Sequence, residues 1–187
     1  MEKVQDPRRF EHTLGVEYTA AALAMCHGCG LREAQAAGLL HDCAKCLSDE
    51  KRLSICRKNG IPVETLEQQN PFLLHAKVGA YLARSKYGVE NPDILNAIQN
   101  HTTGRPGMSL LEKIIFVADY IEPGRKNAPN LGEIRKLAFQ DIDRALLRIL
   151  DDTLSYLSGS AGDIDPMTEK TRNYYHERLN GEGAVQS

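Results

Sequence analysis

Four dipeptides, Asp6-Pro7, Asn70-Pro71, Asn91-Pro92 and Asp165-Pro166, set a short capping side chain directly before a proline and so mark helix starts from one end of the chain to the other. The capping oxygen accepts from free backbone N–H groups, and proline, with no N–H of its own, is preorganised for the first turn. Ser109-Leu110-Leu111-Glu112 adds a capping box, in which hydroxyl and carboxylate each satisfy the other residue's amide. Between these starts the apolar residues recur at the helical period, as in Leu137, Ala138, Ile142, Ala145, Leu146, Ile149, Leu150, Leu154 and Leu157, and no strand alternation competes. Stops fall at Gly28, Gly60, Gly88, Pro123 and Gly181. The pattern predicts an all-α chain, with helices over 7–27, 31–44, 48–59, 71–87, 92–101, 110–121, 131–158 with a break near Gln140, and 166–179.

A length of 187 residues suits one domain with a real core, expected over residues 1–180, with 181–187 reading as a disordered tail. Lysine and arginine number 23 against 25 acids, which excludes a general nucleic-acid or membrane-surface binder, so an anionic ligand must be gripped locally. No stretch approaches the roughly 20 apolar residues of a membrane span, and Met1 to Asp6 lacks the apolar core of a signal peptide. The expected location is the cytoplasm, where five cysteines, an odd count, are read as reduced thiols.

Ile114 to Ile121 is an apolar helix with one carboxylate, Asp119, in its middle. A buried, unpaired carboxylate costs several kcal/mol or more, so Asp119 needs a cation or a set of donors. Lys113, six positions back, is badly placed to supply it. A second anomaly closes the apolar run Ala36 to Leu40 with adjacent His41 and Asp42. Neighbouring helical positions point about 100° apart, so the pair suits a site in which one residue serves one metal and the other bridges to a second. His12, His41, His75 and His101, four of six histidines, each fall on a different expected helix. Singly each is more often an ordinary polar or core histidine; the joint pattern with Asp42 and Asp119 is far more specific.

The order His12, His41-Asp42, His75, His101, Asp119 resembles the ligand signature of the HD superfamily of metal-dependent phosphohydrolases. More narrowly, Arg9 to Val16, Leu40 to Lys45, Leu74 to Ala80, Asn100 to Gly104 and Ala118 to Pro123 resemble the YqeK family. The resemblance implies a single-domain HD-type helical bundle, metal ligation by those six residues, and a dinuclear centre that favours iron. It also implies symmetrical hydrolysis of diadenosine tetraphosphate to two ADP, and a homodimer. The residues agree on their own terms. Imidazole and carboxylate donors without thiolate suit iron, manganese, cobalt or zinc and not an all-oxygen magnesium or calcium site. Two such transition-metal ions sharing Asp42 could hold a bridging hydroxide, a nucleophile that needs no serine or cysteine. The ligand set would equally serve other HD-type activities, such as a nucleotidase, triphosphatase or alarmone hydrolase. It argues against a non-catalytic nucleotide sensor, in which ligands are usually lost.

Cations near the ligands are candidates for holding a dinucleoside polyphosphate or other nucleotide substrate: Lys45, Lys77, Arg105 and Arg125. Lys45 and Arg125 stand out by family resemblance, and Lys45 is placed with Asp42 in the catalytic set. Thr102, Thr103 and Gly104 form a polar turn able to offer hydroxyls and amides to phosphate oxygens. One rival metal reading exists. Cys26-His27-Gly28-Cys29 and Cys43-Ala44-Lys45-Cys46 are CxxC pairs separated by 13 residues, a spacing found in structural zinc sites. The intervening Leu31 to Leu40 reads as an apolar helix and not as a zinc-ribbon hairpin, so the thiols are assigned to helix packing.

Overall fold

A computed structural model describes residues 6–159 and 164–183, and among them every regular element is helical. Ten α-helices follow in order: α1 Pro7–His27, α2 Leu31–Leu40, α3 Asp49–Asn59, α4 Thr65–Gln69, α5 His75–Ser85, α6 Pro92–Gln99, α7 Leu110–Ile121, α8 Leu131–Ala138, α9 Ile142–Ser158 and α10 Pro166–Gly183. The chain is all-α, as its caps require. Asp6 accepts from the Arg9 amide, Asn91 from the Asp93 amide, Asp165 from the Met167 amide, and the Ser109–Glu112 capping box is closed in both directions.

The apolar α7 is the axis of the fold. It packs on α1, α2, α6, α8 and α9, and Ile114, Ile115, Val117 and Ala118 along it are fully buried. Gly38 lets α1 and α2 cross closely, since a Cβ there would stand 2.9 Å from the Glu17 Cα. A smaller apolar cluster, Ala44, Cys56, Leu74 and Val78, ties α3 and α5 beside the main core. At the far end Tyr175 of α10 is buried and accepts the Met108 N–H at 3.0 Å.

Three departures from the expected helices are local. The second helix stops at Leu40 instead of 44, and residues 41–47 form turns with hydrogen bonds from Cys43 to Leu40, Lys45 to Asp42 and Leu47 to Ala44. The fourth expected helix begins as a 3-10 turn, Pro71–Leu74, and only then becomes α5; the short α4 precedes it, closed by a Glu64–Glu67 capping box. The break near Gln140 falls where it was expected, between α8 and α9, with Asp141 capping the latter. Finally, α10 continues through Gly181 to Gly183, past the expected stop, and residues 184–187 of the expected tail lie outside the described residues.

Candidate metal centre

Three imidazoles are aimed by one local device. His41 follows α2, His75 opens α5 and His101 lies just past α6, and each turns Nδ1 to the carbonyl three residues earlier, on Gly38, Phe72 and Ile98, at 2.7 Å in every case. A carbonyl only accepts, so Nδ1 carries the proton and Nε2 is the free donor atom when the ring is neutral. All three rings are buried, and the His75 and His101 Nε2 atoms stand 3.3 Å apart. Burial holds His41 below the ordinary imidazole value, and burial with the nearby His101 and Lys45 charges pushes His75 down to about 3. His41 Nε2 is buried with no hydrogen-bond partner, which is the state of a donor atom shaped for a cation.

Asp42 stands among them with its two oxygens facing different ways. Oδ1 is 3.4 Å from His101 Nε2 and 3.5 Å from His75 Nε2, while Oδ2 is 3.6 Å from His41 Nε2 and accepts from Arg9 at 2.8 Å. Burial would raise its pKa, but the His101 hydrogen bond and the His41, His101 and Lys45 charges outweigh burial and hold the carboxyl well below its usual range. Asp119, on α7, keeps a quarter of its side chain exposed, less hidden than its apolar helix suggested. It lies 3.1 Å from His12 Nε2 and 4.0 Å from His41 Nε2. Its pKa is also depressed, because the His12 hydrogen bond and the His41 and His101 charges overcome burial.

His12 is held differently. Its Nδ1 lies 3.2 Å from the buried carboxylate of Glu122, 110 residues away in sequence. Burial would lower the His12 pKa, yet Asp119 and Glu122 outweigh it and raise the value. The Glu122 carboxylate also accepts the Gly124 amide. Gly15, one turn beyond His12, leaves room for it, since a Cβ there would sit 2.6 Å from Glu122 Oε2. Three overlapping sets of converging donor atoms result: His12, His41 and Asp42; His41, His101 and Asp119; Asp42, His75 and His101. The structure thus brings all six expected residues into one cluster.

The expected substrate cations divide. Lys45 reaches in, with Nζ 2.9 Å from His75 Nε2 and 3.7 Å from Asp42 Oδ1, and burial depresses its pKa against the pull of Asp42 and Asp119. Arg125 donates to the Asp119 carbonyl and carboxylate. Arg105 is spent elsewhere, in a two-pronged pair with buried Glu112 at 2.7 Å on each arm. Lys77 is paired with Glu67 at 2.7 Å and lines, with Thr102 and Thr103, a cavity of about 640 Å³ to which none of the six clustered residues contributes. Gly104 gives its amide to the Asn100 carbonyl and packs against Thr171, and Thr103 donates to the Gly104 carbonyl. Arg9 and Glu122 were not foreseen as site residues. Arg9 sits one helical turn before His12, and Glu122 is an acid directly after the most apolar helix, which is the signal each offered.

Four imidazoles and two carboxylates with no thiolate form a donor set that fits divalent first-row metals. Cysteine takes no part in it: among the described residues no cysteine belongs to a converging donor group, and Cys26 and Cys43 donate to the Phe139 and Gly79 carbonyls on separate elements. The HD domain model matches residues 9–124, a span that contains the whole cluster. The chain belongs to the HD domain family. It is 43% identical over 166 residues to the symmetrical bis(5'-nucleosyl)-tetraphosphatase of Bacillus subtilis, covering 89% of this chain and 88% of that one. It is 41% identical to the protein of the same name from Halalkalibacterium halodurans, covering 88% and 87%. A solved Clostridium acetobutylicum structure, titled a predicted HD superfamily hydrolase involved in NAD metabolism, superposes with a TM-score of 0.91 at 43% identity, over 94% of this chain and 93% of that one.

Proposed function

We propose that this chain hydrolyses diadenosine tetraphosphate symmetrically, giving two ADP, in the cytoplasm. The observation that carries the chemistry is the two-faced Asp42, one oxygen toward His75 and His101 and the other toward His41 and Arg9. The activity named for the relatives supplies the substrate class. His12, His41, Asp42, His75, His101 and Asp119 would hold two first-row ions, iron foremost, with Asp42 common to both. A centre of that kind supplies a water activated near neutral pH and neutralises charge on the phosphoryl oxygens.

The protein's own groups centre the substrate. Arg9, Lys45 and Arg125 surround the donor cluster and bind phosphate oxygens on either side of the reacting phosphorus. Each is paired to a cluster carboxylate here, and with Asp42 and Asp119 engaged in holding metal each would be available to phosphate. Lys77 and Arg105, held by Glu67 and Glu112, are not assigned phosphate contacts. Attack at the β-phosphorus of one nucleoside breaks the bond to the next phosphate and releases ADP from both halves. The cations offset the charge that develops on the departing oxygen.

Hydrolysis in oxygen-18 water by the iron-loaded protein under anaerobic conditions tests this. One of the two ADP molecules is expected to carry label on its terminal phosphate. ATP plus AMP as products would mean asymmetric cleavage and defeat the assignment. Rapid turnover of a mononucleotide with none of the tetraphosphate would move the chain to another HD-type activity.

A further inference from the structure

Phe72 is a large apolar residue left half outside, 51% exposed, while its neighbour Leu74 in the same 3-10 turn is completely buried. A scattered exposed ring is ordinary on a protein surface. This one stands at the metal centre. Its ring centroid is 5.3 Å from that of His75, and Lys45 Nζ, the ammonium placed among the cluster donors, lies 4.4 Å from the same centroid.

The turn that carries the ring is fixed from behind. The Phe72 carbonyl accepts from His75 Nδ1, and the preceding Pro71 carbonyl accepts from the buried Arg52, whose other donors hold the Ala44 and Lys45 carbonyls. A rigid ring with cations on its inner side and solvent on the rest is a stacking surface: the cations anchor it, and a planar aromatic ligand gains by covering the remainder. We propose that Phe72 is the platform on which one base of the nucleotide substrate stacks, while Lys45 directly behind it holds a phosphate of the same nucleotide. The proposal rests on the substrate reading above and adds to it the residue that recognises the base. Stacking tolerates any base, so it selects nucleotides over bare polyphosphate without choosing among purines.

The sequence has no tryptophan, so Phe72→Trp introduces a single reporter at the platform itself. Titrating that metal-loaded variant with ADP is expected to quench its fluorescence, and pyrophosphate at equal occupancy is not. In Phe72→Leu, calorimetry is expected to show the ratio of ADP affinity to pyrophosphate affinity falling roughly tenfold from the wild-type ratio, in line with a lost base–aromatic stack. Equal quenching by both ligands, or an unchanged ratio in Phe72→Leu, overturns the proposal. So does a wild type that binds ADP no better than pyrophosphate. Strong, Phe72-dependent ADP binding without turnover of the tetraphosphate would leave the platform standing and sink the substrate reading alone.

Discussion

The two halves of the donor cluster are built on different principles. On the inner side His41, His75 and His101 are buried and each is oriented by a backbone carbonyl three residues away, so a single turn of chain sets the direction of the donor atom. On the outer side His12 is oriented by Glu122 across 110 residues, and Asp119 by Arg125 at the edge of the site. The inner half therefore forms wherever its helices form. The outer half requires α1 and the end of α7 to meet. Its ligands and their partner Arg125 are also the more exposed ones.

Asp42 spans both halves, so its loss is the largest perturbation. With the two ions per chain proposed above, Asp42→Ala is expected to reduce metal content to one ion or fewer and to cut turnover by about a thousandfold or more, well beyond the roughly 10–100-fold typical of an outer partner. Elemental analysis beside steady-state rates checks it. Two ions retained in the variant would mean that Asp42 does not join the halves. Chelation of the wild type comes next. Removing ions present at 100 to 1,000 times their dissociation constant lowers stability by about 3–4 kcal/mol, or roughly 10 °C in Tm for a domain of this size. The removal should run in two phases, the faster belonging to the exposed outer half. A single phase would erase the distinction between them.

Glu122→Gln separates the halves more finely. It preserves the size of the side chain and removes the charge that holds His12, so one ion should bind roughly 10–100-fold more weakly in competition with a chelator while the other keeps its affinity. Equal weakening of both would show that Glu122 supports the whole cluster. No matching experiment exists on the inner side, where the orienting group is backbone and cannot be mutated away.

The same division explains what the sequence disclosed. His41, His75 and His101 are placed by local geometry, and Asp42 and Asp119 were conspicuous as acids in apolar surroundings; each histidine is ordinary taken singly, but the joint order of the six let them be picked out before their distances were known. Glu122 and Arg9 act through partners far away in sequence, with no periodicity linking them. The cations differ in another way: Arg105 and Lys77 look like Lys45 on paper, and only the fold shows that Glu112 and Glu67, seven and ten residues away, hold them. The helix starts were legible because an Asx-Pro cap is a local statement. The end of α2 was not, because residues 41–47 leave the helix for a partner outside it, Arg52, which takes the Ala44 and Lys45 carbonyls.

The smallest predicted effect is the most selective. Gly15→Ala puts a methyl 2.6 Å from Glu122 Oε2 and 3.4 Å from its Cδ, too close to be tolerated without movement. The carboxylate is the end of a flexible side chain, but the His12 ring and the Gly124 amide pin it, so it must shift by a few tenths of an ångström at their expense. The outer ion should then bind about three- to tenfold more weakly, less than in Glu122→Gln because the charge remains. Stability should move the other way or not at all, since alanine in a helix interior is favoured over glycine by about 1 kcal/mol, enough to offset the strained contact. A variant whose metal-free form melts no lower than the wild type yet gives up one ion more readily would isolate Glu122 as the group that aims His12. Should metal affinity stay unchanged while Glu122→Gln weakens it, the carboxylate can move without turning the imidazole, and it is the charge of Glu122 and not its exact position that supports His12.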